Sequence, residues 1–160
     1  MRKLTTKERG EYKTRIAKAL LESDNIKDLI LGDTSGKKQI DIIKDFKKHV
    51  KSHMFIDETI KDTDTFIFYD IDIPILRPQV KEIRLIIYCI CHRDILENYQ
   101  KEGYFGNRTD ILSQMVEEIL IDEKIVKQFG IGDLSLDSVN IYNSTTFYGC
   151  IMDFSVHNFR

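Results

Sequence analysis

The apolar residues of this chain change their spacing sharply near residue 60, and that change governs what the chain can fold into. Up to about residue 54 they recur with the helical period of about 3.6, and from Thr65 to His92 they alternate with the strand period of two. A helical N-terminal part must therefore join a sheet-forming part. With a helical run inside that second part, the pattern reads as an α+β domain.

The first helical run extends from Glu8 to Leu31, with Ile16, Ala19, Leu20, Ile26, Leu29 and Ile30 on one side. Ser23-Asp24-Asn25 favours caps over helix interiors and is a point where the run divides in two. Gly32 supplies a C-cap, and Asp33-Thr34-Ser35-Gly36 a turn. A further helix is predicted over 38–54, with Ile42, Ile43, Phe46 and Val50 inward and Lys44, Lys47, Lys48 and Lys51 wet.

Thr65 to Ile73 reads as a strand. Ile67, Tyr69, Ile71 and Ile73 share one face; Phe66, Phe68, Asp70 and Asp72 share the other. Pro74 to Pro78 is expected to end it, because proline cannot donate to a ladder. Lys81 to His92 is apolar on both faces and is therefore expected in the sheet centre, antiparallel to its predecessor. A polar loop from Glu97 to Arg108 precedes a helix over Asp110 to Phe129, capped by Asn107 or Thr109 and closed by Gly130 and Gly132. Its core stripe is Ile111, Leu112, Met115 and Ile119, extended by Val126. Leu134–Tyr142 and Phe147–Phe159 form a last hairpin around Asn143-Ser144-Thr145-Thr146, with Tyr148, Cys150, Met152, Phe154 and Val156 facing the core. The expected fold is one domain over 1–160. Helices from 1–56 and the later helix pack on one face of a four-stranded, mostly antiparallel sheet formed by 57–160.

At 160 residues, such a domain buries roughly two-thirds of its unfolded surface and needs neither metal nor disulfide to fold. Three cysteines are too few and odd in number for a secreted disulfide framework. The charged N-terminus is unlike a signal peptide, and no apolar run is long enough to cross a bilayer. A reducing cytoplasm is the expected setting. Charge is uneven: residues 1–52 hold 14 Lys and Arg against 8 Asp and Glu, although the whole chain carries −2. Two surfaces of opposite sign would suit a protein that stacks on copies of itself or sits between two partners.

Few residue clusters could carry chemistry. Cys89 and Cys91 lie on one strand face beside His92, and Cys150 could approach from another strand, which gives zinc-like donor types. The spacing is that of a strand, not a knuckle turn, so small core residues are the simpler reading. His49 and His53, four apart, would share a helix face among lysines with no third ligand near. Asp70, Asp72, Glu82 and Arg84 resemble the carboxylate and Glu-x-basic pattern of metal-dependent nucleases. Arg84 cannot act as a base, and acidic residues on an outward strand face also discourage edge aggregation. No phosphate-cradling glycine loop, nucleophile elbow or aromatic-interleaved basic tract is present. No cofactor and no catalytic residue is expected.

The segment GIGDLSLDSVNIYNSTTFYGCIMDFSVHNF, Gly130 to Phe159, and the preceding NRTDILSQMVEEIL, Asn107 to Leu120, are similar to the C-terminal part of small phage neck proteins. Over about residues 60–160 the order hairpin, long helix, closing hairpin resembles the tail terminator, or tail completion, proteins of long-tailed phages. This resemblance implies a structural protein without an active site. It implies a homo-hexameric ring that caps the tail tube protein and meets the head–tail connector protein, made in the host cytoplasm and carried in the virion neck. Membrane and specific nucleic acid are not among the implied partners. Candidate interface residues are Lys44, Lys47, Lys48, Asp62, Asp64, Tyr104, Phe105 and Arg108. Two alternatives remain beside it: a metal-dependent nuclease using Asp70, Asp72 and Glu82, and a small cytoplasmic adaptor domain.

Overall fold

A computed structural model describes residues 5–55, 62–77, 80–122 and 134–159. Their order is α1 (Thr5–Glu22), α2 (Asp24–Leu31), α3 (Gln39–His49), β1 (Val50–Lys51), β2 (Thr65–Leu76), β3 (Val80–His92), a 3-10 turn over Arg93–Ile95, α4 (Arg108–Ile121), β4 (Ser135–Asn143) and β5 (Phe147–Phe159). The strands form one sheet in the order β1-β2-β3-β5-β4. All pairings are antiparallel except β1 with β2, which is parallel.

The α+β class holds, with helices on one side of the sheet, but the sheet is five-stranded and mixed, not four-stranded. The added strand comes from the end of the expected helix over 38–54. That helix stops at His49, and Val50 and Lys51 pair with Ile67 and Phe68 instead. Lys51 thus leaves the helical wet face. The Glu8–Leu31 run does divide at Ser23, whose side chain accepts from the Ile26 N–H as an N-cap, and Gly32 at φ 73° closes α2. The N-terminal part accordingly holds three helices.

β2 does not end at Pro74. It runs to Leu76, and its register with β3 slips between Asp72 and Ile75. The slip falls where proline has no N–H to offer, so the bulge absorbs the missing donor. β3 lies between β2 and β5 as its two apolar faces require. α4 begins two residues early, at Arg108. Asn107 accepts from the Thr109 and Asp110 N–H groups, and Asp110 returns the bond to the Asn107 N–H in a capping box. Its described part ends at Ile121; Phe129, Val126, Gly130 and Gly132 lie outside the described residues.

The main core lies between sheet and helices. Tyr12, Ile16 and Leu20 of α1, Ile26 and Leu29 of α2, and Ile111, Leu112, Met115 and Val116 of α4 pack on Ile67, Tyr69, Ile71, Ile83, Leu85, Ile87, Met152, Phe154 and Val156. The opposite face carries a second cluster of Phe66, Phe68, Ile90 and Phe147, bordered by Tyr88 and Tyr142. It extends beyond the sheet: the His49 ring stacks on Phe66 at 5.5 Å, and Phe55 meets Phe68 edge-on at 6.4 Å.

At Gly149 the β5 backbone lies against β3 with no room for a side chain. A Cβ there would overlap the carbonyl oxygen of Cys89 and lie 2.8 Å from the Ile90 Cα. Both obstacles are central backbone that cannot step aside. Gly149→Ala is therefore expected to cost at least about 2 kcal/mol, by the logic of overpacking. The midpoint of urea unfolding against wild type measures it, and an unchanged midpoint contradicts the packing described.

Candidate functional site

The carboxylates that suggested a nuclease do not share a site. Across the β2–β3 pair Asp70 faces Ile86, Asp72 faces Arg84, and Glu82 faces Ile75 beyond the bulge. They are thus spread along the hairpin, with a guanidinium among them: Arg84 Nε stands 3.8 Å from Glu82 Oε1. Asp70 is held from another direction. α1 crosses the end of β2 that β1 leaves uncovered, and Arg9 Nη2 and Lys13 Nζ each reach Asp70 Oδ1 at 2.7 Å. Arg9 Nε also donates to the Ile71 carbonyl at 2.6 Å. Burial pushes the Asp70 carboxyl up. The hydrogen bonds from Lys13 and the Ile71 N–H, with the Lys13 and Arg9 charges, outweigh burial and hold it below its ordinary range. Its charge is balanced inside the fold.

The cysteines are core residues. Cys89 and Cys150 are register partners on β3 and β5. Cys89 and Cys91 are fully buried and Cys150 is half-buried. Burial raises the Cys91 thiol to about 12. The hydrogen bond to Cys150, with burial, holds Cys89 protonated. His92 falls on the opposite sheet face, its ring edge-on to Phe147. The His49–His53 pair is undone by the early end of α3: His49 Nδ1 lies 3.1 Å from the Thr65 carbonyl, and His53 meets Phe55. Among the described residues, no three His, Cys, Asp or Glu side chains are grouped so that they could hold a metal ion.

The candidate interface residues divide by burial. Lys44, Lys47 and Lys48 stand exposed along α3, with Lys48 Nζ 3.6 Å from Asp45. Asp62 is exposed, and Asp64 is half-buried with its carbonyl accepting from the His92 N–H. Phe105 is 79% exposed. Tyr104 beside it is half-buried; its hydroxyl donates to Glu118 at 2.8 Å and accepts from Asn25 at 3.3 Å.

Arg108 is turned inward. Nε donates to the Ile95 carbonyl at 3.1 Å, Nη1 to the Leu29 carbonyl at 2.9 Å, and Nη2 to Asn98 Oδ1 at 2.7 Å. The Tyr99 ring lies 5.2 Å from the guanidinium. One side chain thereby satisfies an orphan carbonyl at the C-terminus of α2 and fixes the loop before α4. Arg108 is among the interface residues expected from the sequence, and nothing in a basic residue at a loop end signals the carbonyl acceptors it meets inside. Sequence reasoning passed over Arg9 and Lys13, whose only mark is a spacing of four on one helix, and over Val139 and Ile141, which the structure leaves exposed on β4.

The fold and these placements define an α+β protein in which Asp70 and Arg108 are bonded within the fold and Cys89 and Cys91 are buried. The YomW family matches residues 14–156, and the chain belongs to that family. The family is phage-derived, with a gene of Bacillus phage SPBc2 behind its name, which makes the chain phage-associated. No curated protein matches the sequence.

The Asp70 contacts set a pH signature. A carboxyl depressed by folding stabilises above its unfolded value, about pH 3.9, and that contribution fades as pH falls through the lower folded value. Asp70→Asn is expected to lower stability by about 1 kcal/mol at pH 7, as for a partly exposed charge cluster. The difference between the two proteins should vanish between pH 4 and pH 2, measured by denaturant melts across that range. Arg108→Lys keeps the charge but loses the planar fork. It is expected to cost about 2 kcal/mol in the same melts, the scale of leaving buried carbonyls without donors.

Proposed function

We propose that this chain is a structural protein of a phage particle, of the tail terminator kind, acting through contacts with copies of itself and with neighbouring particle proteins. The observation that carries this reading is one of order and place. The β2–β3 hairpin, α4 and the β4–β5 hairpin build one antiparallel sheet under one helix. They do so over the stretch, about 60–160, where the sequence resembles tail terminators, in a chain of a phage-derived family.

Charge layout supports the same reading. The Lys44, Lys47 and Lys48 face belongs to the basic part of the chain, while the remainder is net acidic. Complementary faces of that kind set register and orientation when subunits meet. In a ring of copies, head-to-tail contact would join the basic α3 face of one subunit to an acidic face of the next. The tail tube would meet one side of such a ring and the head connector the other. The nuclease reading needs Asp70 free to hold a cation, and Arg9 and Lys13 already occupy it.

The test is the mass in solution, by light scattering on a size-exclusion column, at low and moderate salt. A ring-sized assembly that loosens with salt is expected. Lys44→Glu, Lys47→Glu and Lys48→Glu together should weaken it at least tenfold while the circular dichroism spectrum stays that of wild type. An assembly indifferent to this reversal removes α3 from the contact.

A further inference from the structure

The two edges of the sheet are finished differently. On one side β1 covers Ile67 and Phe68, and beyond it Arg9 fills the Ile71 carbonyl and Asp70. β4 forms the other edge and, among the described residues, pairs only with β5. Natural edges are usually blunted by lysine, proline or an inward charge. Ser135–Asn143 holds no lysine, arginine or proline, and Asp137 is its one carboxylate.

Two large apolar side chains stand on this strand, Val139 at 54% exposure and Ile141 at 74%. Their register partners are Met152 and Cys150, so both point to the helix-covered side of the sheet. α4 packs over β3 and β5, and Leu136 of β4 reaches the same core, while Val139 and Ile141 stay exposed.

We propose that β4 is a self-association edge, pairing antiparallel with β4 of a second copy about a twofold axis at Asn140. In that register Val139 of each copy meets Ile141 of the other, and the two Asn140 amides face one another. Ser138 lies opposite Tyr142, and Asp137 opposite Asn143. Every apolar side chain exposed on this edge meets an apolar partner, and no carboxylate meets another. Centring the axis on Val139 instead sets Ile141 against Asp137, and centring it on Ser138 sets Val139 against Asp137. The favoured contact continues the sheet to ten strands, with the helices of both copies on one side. It joins backbone donors and acceptors as in β-augmentation and closes as an isologous pair. This contact does not rest on the phage-particle reading. Being isologous, it is distinct from the head-to-tail contact of the ring, and together the two would join rings in pairs, with an even number of subunits.

The experiment measures mass by light scattering for wild type and Asn140→Lys, from micromolar to about millimolar chain, above the range where weak dimers dissociate. Asn140 is exposed, so the lysine should not disturb the fold, and circular dichroism checks that. The wild type is expected at an even multiple of 18.8 kDa and Asn140→Lys at half the wild-type mass or less. As a second reading, Asn140→Cys treated with oxidised glutathione should give a disulfide-linked dimer on a non-reducing gel. Asn143→Cys, opposite Asp137 in this register, should not. A chain monomeric throughout overturns the proposal, including the case where a different protein supplies the strand. So does an assembly that Asn140→Lys leaves whole, or crosslinking at 143 and not at 140. A ring that ignores Asn140→Lys but falls apart on the α3 charge reversal would remove this contact and leave the particle reading standing.

Discussion

β3 buries side chains on both of its faces, and the two halves of the chain meet on it. Ile83, Leu85, Ile87 and Cys89 point into the helical core, while Ile90 points into the aromatic cluster. At about 1.5–3 kcal/mol for a fully buried large aliphatic side chain, this one strand contributes a substantial part of the hydrophobic stabilisation. β2 must lie along one edge of it and β5 along the other. That placement leaves β4 outermost, holds Gly149 against the Cys89 carbonyl, and brings Cys150 beside Cys89. The α4 helix then has only one side of the sheet to cover.

The helices are held to this sheet by polar contacts that apolar packing alone would not specify. Arg9 and Lys13 fix where α1 crosses the edge of β2, because a carboxylate and a strand carbonyl wait there for their donors. Arg108 joins the end of α2 to the start of α4 through the Leu29 carbonyl. The Tyr99 hydroxyl reaches Asp28, and the Tyr104 hydroxyl reaches Glu118. Apolar burial sets that the helices pack, and these directional bonds set where.

Much of this architecture was legible because periodicity is a local property. The alternation in Thr65–Ile73 and Lys81–His92 names both faces of both strands, and the structure places those residues accordingly. What escaped was non-local. β1 is two residues long, too short to show a period, and exists because β2 offers an edge to Val50 and Lys51. Pro74 is tolerated because the register slip removes the need for its N–H, and that slip is a property of the pair of strands. The carboxylates illustrate the same limit for the site. Asp70, Asp72 and Glu82 look clustered when two strands are read as words, yet register spreads them and α1 supplies the cations that neutralise one. Spacing along a chain cannot reveal a donor that arrives from about sixty residues away, as Arg9 does.

The same contrast explains why the edges of the sheet say more about function than its interior. Interior strands are fixed by burial whatever the protein does. An edge strand is free to be blunted or left open, and the fold does both. Arg9 and Lys13 stand at the β2 edge, where an unpaired ladder would invite a neighbouring chain. At β4 the structure leaves Val139 and Ile141 in solvent. Exposed apolar side chains scattered singly mean little. Two on one face of one open strand, arranged so that a second copy satisfies both, are a different matter. A lysine at Ile141 would cost the lone subunit little, because that side chain is 74% exposed there. Valine and isoleucine at that edge are the side chains that the proposed β4 pairing would bury.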